Sequence, residues 1–206
     1  MDDFHVAHGA TELIFVRHGD ALQHDPAEPL TPDDIDPPLS LRGTRQAKAL
    51  AQRLERREIT ALYASPLQRC AQTAEPLADA LGVGIAIDAR LREVELAGVG
   101  SVGMQELAQI AISRGGWSHL EGTEPSAQIR GRMCDAAAAI VAAHPGERVA
   151  VFSHAGAINA YFAHLLGLGA DFFFPTGNTS LNIVRARGDR RLIVTINDIA
   201  HLEYLK

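Results

Sequence analysis

Apolar residues along this chain switch repeatedly between a strand-like and a helix-like pattern. Residues 11–16 include four adjacent apolar positions, which predicts a strand covered on both faces, as in a parallel sheet. Residues 148–152 form a second continuous run of the same kind. Shorter apolar segments predict further strands at residues 61–64, 84–87, 181–184 and 192–196. We expect the last two to close the sheet at an edge.

Helical spacing occupies the segments between these strands. From Thr44 onward the apolar residues share one helix face, and they are Ala47, Leu50, Ala51 and Leu54. Ser65 and Pro66 predict the start of a second helix, with Ser65 as its N-cap and Pro66 at the first helical position. Ser126 is expected to cap a third helix, and residues 158–166 predict a fourth.

Strands that alternate with helices are the pattern of α/β proteins. We therefore predict a three-layer α/β/α sandwich around a mostly parallel sheet with an antiparallel edge strand. No repeat, low-complexity tract or linker divides the chain, so residues 1–206 are expected to form a single domain. Residues 20–43, rich in proline and aspartate, predict a loop. The glycine-rich residues 96–125, with one helical piece around residues 104–113, are expected to form a small inserted lid.

Composition narrows the classes of function. The 206 residues carry a formal net charge of −6, so duplex nucleic acid is not an expected partner. No apolar run approaches the ~20 residues that a membrane-spanning helix needs, and the acidic N-terminal residues lack the features of a signal peptide. Cys70 and Cys134 have no metal-like spacing and are expected to be buried free thiols. These features predict a cytoplasmic protein that binds neither membranes nor nucleic acid.

Two of the predicted strands are followed by a histidine. Arg17, His18 and Gly19 follow the first strand, and His154 follows the second continuous run. Arg69 lies in the first turn of the second predicted helix. Taken alone, an Arg-His-Gly sequence is more often a turn with two solvated side chains. If the strands are parallel neighbours, however, their ends form one pocket, and two guanidiniums with two imidazoles suit a phosphoryl group.

Four motifs, in order, resemble the signatures of a known family. They are Arg17-His18-Gly19, Ser65-Pro66-Leu67-x-Arg69-x-x-x-Thr73-Ala74, Leu91-x-Glu93 and Ser153-His154-x-Gly156. Further matches are Pro38-Leu39-Ser40-x-x-Gly43-x-x-Gln46-Ala47 and Asn178-Thr179-Ser180. Together they span nearly the whole chain. The sequence is similar to branch 1 of the histidine phosphatase superfamily, the phosphoglycerate mutase-like group.

The resemblance implies a role for each of these residues. In this family the first histidine is the nucleophile, so His18 would form a phosphohistidine by in-line attack. Arg17, Arg69 and His154 would hold the phosphoryl oxygens. Glu93 would protonate the leaving group and then activate the water that cleaves the phosphohistidine. Neither a metal nor another cofactor is implied, because the guanidiniums and the second histidine take the role that Mg²⁺ has in kinases.

The sequence departs from the family pattern in two places. After Glu93 the family usually has a glycine-tryptophan-glutamate-glycine run, and residues 94–100 read Val-Glu-Leu-Ala-Gly-Val-Gly instead. Glu93 stays the expected acid, and Glu95 is the alternative. His24 occupies a position where a phosphate-contacting asparagine often lies in the family. It is therefore either a phosphate-binding residue or a solvated loop histidine.

These observations predict a metal-independent phosphomonoesterase that works through a phosphohistidine on His18. Two alternatives stay open: a cofactor-dependent mutase of the phosphoglycerate mutase type, and a non-catalytic module that binds a phospho-ligand or a protein. Residues 96–125 contain only Arg114 as a cation, which argues against the doubly anionic substrates of mutases. The expected substrate is a small-molecule phosphomonoester or a phosphoprotein. The sequence leaves the oligomeric state open.

Overall fold

A six-stranded sheet with helices on both faces forms the centre of the protein. The structure, a computed structural model, describes residues 4–23, 36–95, 109, 113–114, 116 and 122–205. Its strands are β1 (Thr11–Arg17), β2 (Ile59–Ala64), β3 (Ile85–Ile87), β4 (Arg148–Ser153), β5 (Leu181–Arg187) and β6 (Arg190–Asp198). Its α-helices are α1 (Leu41–Leu54), α2 (Gln68–Leu81), α3 (Ser126–Ala143) and α4 (Ala155–Leu165). Short 3-10 helices lie at Val6–His8, Ala89–Leu91 and Ala200–Leu205.

The strands follow the order β3-β2-β4-β1-β5-β6 across the sheet. β3, β2, β4 and β1 are parallel to one another, whereas β5 is antiparallel to β1, and the edge strand β6 is antiparallel to β5. This confirms the predicted sheet. Because β1 and β4 are parallel neighbours, their carboxyl ends, at Arg17 and Ser153, lie side by side.

The two faces of the sheet carry separate apolar layers. Along β1, Leu13 and Phe15 pack on one face, while Ile14 and Val16 pack on the other, as the two-residue period of a strand requires. The first pair contacts the apolar side chains of α3 and α4, and the second pair contacts those of α1 and α2. All four of these β1 side chains are fully buried. The predicted three-layer α/β/α sandwich is thus confirmed.

The predicted start of the second helix is wrong. α2 begins at Gln68, with Leu67 as an N-cap whose side chain makes no capping hydrogen bond. The Ser65 hydroxyl accepts the Leu67 N–H at 3.3 Å, but Ser65 lies three residues before the helix begins. The carboxylate of Asp36 accepts the Gln68 N–H at 2.9 Å and so takes over the capping role. The cap comes from a loop that is distant in sequence, which a local motif cannot reveal.

Two smaller predictions also need correction. Ser126 is the first residue of α3 and not its N-cap, which is Pro125, and the Ser126 hydroxyl donates to the carboxylate of Asp171. Cys70 and Cys134 are free thiols as expected, but Cys134 is only half-buried, whereas Cys70 is fully buried.

Part of the predicted lid and one candidate site residue lie outside the described residues. His24 is one of these, as are most of residues 96–125 and most of the helical piece predicted around residues 104–113. These expectations stay predictions. Across the described ranges, no helix combines the length and apolar character that crossing a bilayer requires.

Candidate active site

Parallel pairing of β1 with β4 brings the two predicted histidines together. Arg17 lies opposite Ser153 in this register, and the His18 N–H donates to the Ser153 carbonyl at 3.0 Å. The imidazole rings of His18 and His154 then lie with their centroids 5.2 Å apart. Both rings occupy the edge of the sheet where the parallel strands end, which is the place expected for a ligand site.

The ring of His18 is held in a defined protonation state. Its Nδ1 lies 2.7 Å from the Gly19 carbonyl oxygen. A carbonyl can only accept, so Nδ1 carries the proton and Nε2 keeps its lone pair in the neutral ring. Burial, followed by the charges of Arg17 and Arg69, holds the pKa of His18 well below the ordinary histidine value. His18 is therefore neutral, with Nε2 in the form that a nucleophile needs.

His154 is fully buried beneath this ring. Its Nε2 lies 2.8 Å from the Ser65 hydroxyl oxygen and 3.4 Å from the Cys70 sulfur. The pKa of His154 lies well below its ordinary value. Burial is the largest cause, and the charges of His18 and Arg69 come next. Burial also raises the pKa of Cys70, so its sulfur stays a thiol. Ser65 thus orients the His154 ring, although it does not cap α2.

Arg17 and Arg69 bring two guanidinium groups to the histidine pair. Nη1 of Arg17 donates to the Thr176 carbonyl, and its Nε is a buried donor for which the described residues supply no acceptor. Burial lowers the pKa of Arg17, Glu93 opposes this shift, and Arg69 adds to it. Nη1 of Arg69 lies 3.4 Å from Asp36, and its side chain is 11% exposed. Two cations whose charges both act on the histidine pair favour an anion beside the rings.

The carboxylate of Glu93 lies at the N-terminus of α4, the helix that follows His154. Its Oε1 accepts the N–H groups of Val94 at 3.0 Å and Ala157 at 3.1 Å, and its Oε2 accepts the Gly156 N–H at 3.3 Å. These three hydrogen bonds fix the orientation of the Glu93 carboxyl group beside the start of α4. The fold therefore places Glu93, Arg17 and both histidines at one edge of the sheet.

Glu95, the alternative acid, faces solvent. Its side chain is 58% exposed, and its carboxylate accepts a hydrogen bond from Nε of Arg92 at 2.7 Å. Glu93, in contrast, contacts the turn that carries His154. Of the two candidate acids, Glu93 is therefore the one that the fold places beside the histidines.

Close packing of two backbone turns fixes the loop after His18. A Cβ atom on Gly43 would lie 1.9 Å from the Asp20 carbonyl oxygen, so this position accepts only glycine. The Asp20 N–H donates to Oε1 of Gln46 at 2.7 Å, and the Asp20 carboxylate accepts the Ser40 hydroxyl at 2.5 Å. The Ser40-x-x-Gly43-x-x-Gln46 spacing in the sequence is the signal of this support.

Three polar residues whose role the sequence did not predict also hold this segment. The amide of Asn178 donates to the His18 carbonyl at 3.1 Å, and the Thr73 hydroxyl accepts the Gly19 N–H at 2.9 Å. Thr179, with a positive φ of 54°, donates its N–H to the carbonyl of the residue before His18 at 3.0 Å. Thr73, Asn178 and Thr179 lie within the family motifs, but their chemistry alone did not mark them.

Three other predictions concern a metal site, Arg114 and His24. Within the described ranges, no group of three or more His, Cys, Asp and Glu side chains is arranged to hold a metal ion. Arg114, the cation of the predicted lid, is exposed. His24 lies outside the described residues, so its contact with phosphate stays a prediction.

Comparison with known proteins gives a consistent result. The chain matches the family model of the histidine phosphatase superfamily (branch 1) over residues 13–199. It is 27% identical over 200 residues to phosphoserine phosphatase 1 of Hydrogenobacter thermophilus, covering 93% of this chain and 94% of that protein. It is 31% identical over 169 residues to a probable phosphoglycerate mutase, GpmB, of Cronobacter sakazakii, covering 77% of this chain and 76% of that protein.

A solved structure supports the same assignment. The mycobacterial glucosyl-3-phosphoglycerate phosphatase in complex with VO3 is 25% identical and superimposes with a TM-score of 0.73, covering 90% of this chain and 98% of that one. This chain belongs to the histidine phosphatase superfamily, branch 1, and the resemblance seen in its sequence is confirmed. It is a phosphatase of the histidine type.

Proposed function

We propose that this enzyme is a metal-independent phosphomonoesterase that works through a phosphohistidine on His18. The observation that carries the proposal is the state of the His18 ring. The Gly19 carbonyl, 2.7 Å from Nδ1, fixes the proton there and leaves the Nε2 lone pair for attack. Arg17 and Arg69, whose charges act on this ring, supply the positive charge that an anionic phosphoryl group requires.

The first step transfers the phosphoryl group to the enzyme. Nε2 of His18 attacks phosphorus in line with the ester oxygen, so an N–P bond forms while the P–O bond to the leaving group breaks. Glu93, as a carboxylic acid, gives its proton to the leaving oxygen. Arg17, Arg69 and His154 stabilise the charge on the other phosphoryl oxygens.

The second step returns the enzyme to its starting state. A water molecule attacks the phosphorus, the N–P bond breaks, and the carboxylate of Glu93 takes the proton that water releases. Inorganic phosphate then leaves, and Nε2 of His18 regains its lone pair. Glu93 therefore serves as an acid in one step and as a base in the other.

Unused hydrogen-bonding capacity supports phosphate binding without a metal. Nε of Arg17 is buried and has no acceptor among the described residues. A buried donor without a partner costs about 1–3 kcal/mol, and a phosphoryl oxygen would remove that cost. The two guanidiniums together take over the charge stabilisation that Mg²⁺ provides in kinases.

The names of the relatives indicate the substrate class. Two of them are phosphatases of phosphoserine and of glucosyl-3-phosphoglycerate, both small phosphomonoesters, and a third is a probable phosphoglycerate mutase. We therefore expect a small-molecule phosphomonoester as the substrate. A mutase returns the phosphoryl group to its substrate and not to water, so release of inorganic phosphate separates the two activities.

The test is phosphate release from phosphoserine, phosphoglycerate and p-nitrophenyl phosphate in the presence of EDTA. Wild type is compared with His18→Ala and with His164→Ala, which changes an exposed histidine on α4. We expect release by wild type and by His164→Ala, and none by His18→Ala. A requirement for added metal, or equal activity in His18→Ala, would contradict the mechanism.

A further inference from the structure

The segment that carries Glu93 is hydrogen-bonded at four successive carbonyl groups. The carbonyl of Leu91 accepts the Ser153 hydroxyl at 2.7 Å. The other three accept from a single guanidinium on α3, that of Arg132: Arg90 at 2.7 Å, Arg92 at 2.7 Å and Glu93 at 3.1 Å. Carbonyls of connecting segments ordinarily face water. Here the side chains of Ser153 and Arg132 fix the backbone that leads into Glu93 and the carbonyl of Glu93 itself.

The guanidinium of Arg132 makes five hydrogen bonds in all. Besides the three carbonyls, it binds the carboxylate of Glu124, with Nε to Oε1 at 2.7 Å and Nη2 to Oε2 at 2.8 Å. The side chains of Arg132 and Glu124 are only 9% and 1% exposed. Arginine has five N–H donors in a rigid fork, so the donors of this side chain are fully used. A lysine has three donors and cannot reproduce the arrangement.

Glu124 binds the same segment at a second point. Its N–H donates to the carbonyl of Glu95 at 2.9 Å. Burial raises the pKa of the Glu124 carboxyl, but the hydrogen bond and charge of Arg132 outweigh this, so the pKa lies below its usual value. Glu124 is therefore an anion that fixes Arg132 and also contacts the chain just beyond Glu93.

Both the backbone carbonyl and the side-chain carboxylate of Glu93 are hydrogen-bonded. Its carbonyl is bonded to Arg132 on α3, and its carboxylate to Gly156 and Ala157 at the start of α4. α3 and α4 belong to one apolar layer, so these two anchors are fixed relative to each other. Moving the carbonyl would therefore tilt the carboxylate away from the histidines. A displacement of about 1 Å at a reacting group can cost about 10²-fold in rate.

We propose that Arg132, with Glu124 as its counterion, is a positioning residue for the proton transfer at Glu93. The proposal rests on the proposed function, in which Glu93 is the acid. Arg132 acts through the backbone of Glu93 and does not bind the phosphoryl group. Loss of Arg132 should therefore slow the reaction most for substrates whose leaving oxygen needs a proton.

Two substrates with different leaving groups test this directly. An alkyl phosphate that the wild type hydrolyses, such as phosphoserine, needs a proton on its leaving oxygen, whereas p-nitrophenyl phosphate releases a stable phenolate. We compare kcat/KM, which reports the first step and not hydrolysis of the phosphohistidine. Arg132→Lys should lower kcat/KM for the alkyl phosphate by about 10²-fold, and for the aryl phosphate by less than about threefold.

Two reference variants define the expected pattern. Glu93→Gln removes the acid itself and should give the largest difference between the two substrates. Glu124→Gln keeps the shape of the side chain but weakens the hold on Arg132, and it should give the same pattern with a smaller amplitude. Agreement in pattern among the three variants is the result that supports a positioning role.

Arg130 on the same helix provides the matched control. Its guanidinium binds Asp171 at 2.7 Å and also the carbonyls of Leu168, Gly169 and Ala170, none of which belongs to the Glu93 segment. Arg130→Lys therefore breaks a similar clamp at another place. It should change kcat/KM for both substrates by the same factor, and thermal unfolding of both lysine variants shows how far each is destabilised.

Equal losses for the two substrates in Arg132→Lys, as in Arg130→Lys, would overturn the proposal. If Arg132→Lys does not fold, Glu124→Gln decides, and equal losses there have the same meaning. Failure of the proposed function has a different signature. In that case His18→Ala would hydrolyse both substrates as fast as the wild type.

Discussion

The two ends of β1 hold charged groups in opposite ways. At the amino end, the fully buried carboxylate of Glu12 is surrounded by three guanidiniums: Arg185 at 2.8 Å, Arg57 at 3.0 Å and Arg148 at 3.5 Å. The register explains two of these contacts, because Arg148 on β4 and Arg185 on β5 are the direct neighbours of Glu12. The fold itself supplies the anion at this end.

At the carboxyl end, the cations are arranged around neutral rings. Burial is the largest cause that lowers the pKa of His18, and the charges of Arg17 and Arg69 lower it further. Nε of Arg17 has no acceptor within the described residues. Asp36 pairs with Arg69 at this end, but Nε of Arg17 is left for an anion that the described residues do not provide. Arginine thus stabilises the fold where the chain provides its counterion, and it can bind a ligand where the chain does not.

Removing the nucleophile is the change with the largest expected effect. His18→Ala should lower kcat by at least about 10⁴-fold, because in the proposed mechanism every turnover passes through Nε2 of His18. Steady-state phosphate release measures this, with circular dichroism to show that the variant is folded. A loss of less than about tenfold would place the nucleophile elsewhere.

Removing the Glu12 carboxylate at the amino end of β1 should lower stability and leave catalysis unchanged. Glu12→Gln leaves three guanidiniums around an uncharged group, so the free energy of unfolding should fall by about 3–5 kcal/mol. Urea denaturation measures it. The kcat of the folded fraction should stay at the wild-type value, and a large fall in kcat would show that the two ends of β1 are coupled.

Acid should weaken the fold through the histidine pair. Burial holds the pKa values of His18 and His154 well below that of a histidine in the unfolded chain, so the unfolded state binds more protons once the pH falls below about 6.5. The free energy of unfolding therefore falls as the pH drops below this value, by up to about 1.4 kcal/mol per pH unit for each histidine. Urea denaturation between about pH 7.5 and about pH 5 measures the slope.

The double variant His18→Gln/His154→Gln is the control for this pH dependence. Its slope should be shallower than that of the wild type over the same range, because the two groups that resist protonation are gone. Identical slopes in the two proteins would show that other groups cause the loss of stability.

An exposed ion pair should give the smallest effect. Arg53 on α1 lies 3.3 Å from Asp198 on β6, with 45% and 27% of the two side chains exposed. Solvent screens such a pair, so Arg53→Ala should change the free energy of unfolding by no more than about 1 kcal/mol. A fall in the free energy of unfolding as large as that of Glu12→Gln would mean that burial does not explain the difference between this pair and the Glu12 cluster.

The pairing of the two histidines could be predicted because both residues lie directly after strands. His18 and His154 each follow a continuous apolar run, and parallel pairing of two such strands brings their ends together. The alternation of strands and helices likewise predicted the layers of the fold. These signals are local, and the fold rule that connects them is general.

The contacts that support Glu93 could not be predicted, because they join distant segments of the chain. Arg132 lies among the buried residues of α3, where the apolar period gives no reason to expect an arginine that holds three carbonyls. The Ser65-Pro66 pair predicted the wrong helix start for the same reason, since Asp36 from another loop binds the first N–H of α2. Local motifs identify reacting groups better than they identify what holds them.

The most direct test of this account is a search for the covalent bond between phosphorus and His18. The enzyme is mixed with substrate, quenched in alkali and digested, and its peptides are examined by mass spectrometry, because phosphohistidine survives alkali and is cleaved by acid. We expect a phosphorylated peptide that contains His18, loses its phosphate in acid, and is present in His164→Ala but absent in His18→Ala. Turnover without a phosphorylated histidine, or phosphate on a serine or threonine instead, would contradict it.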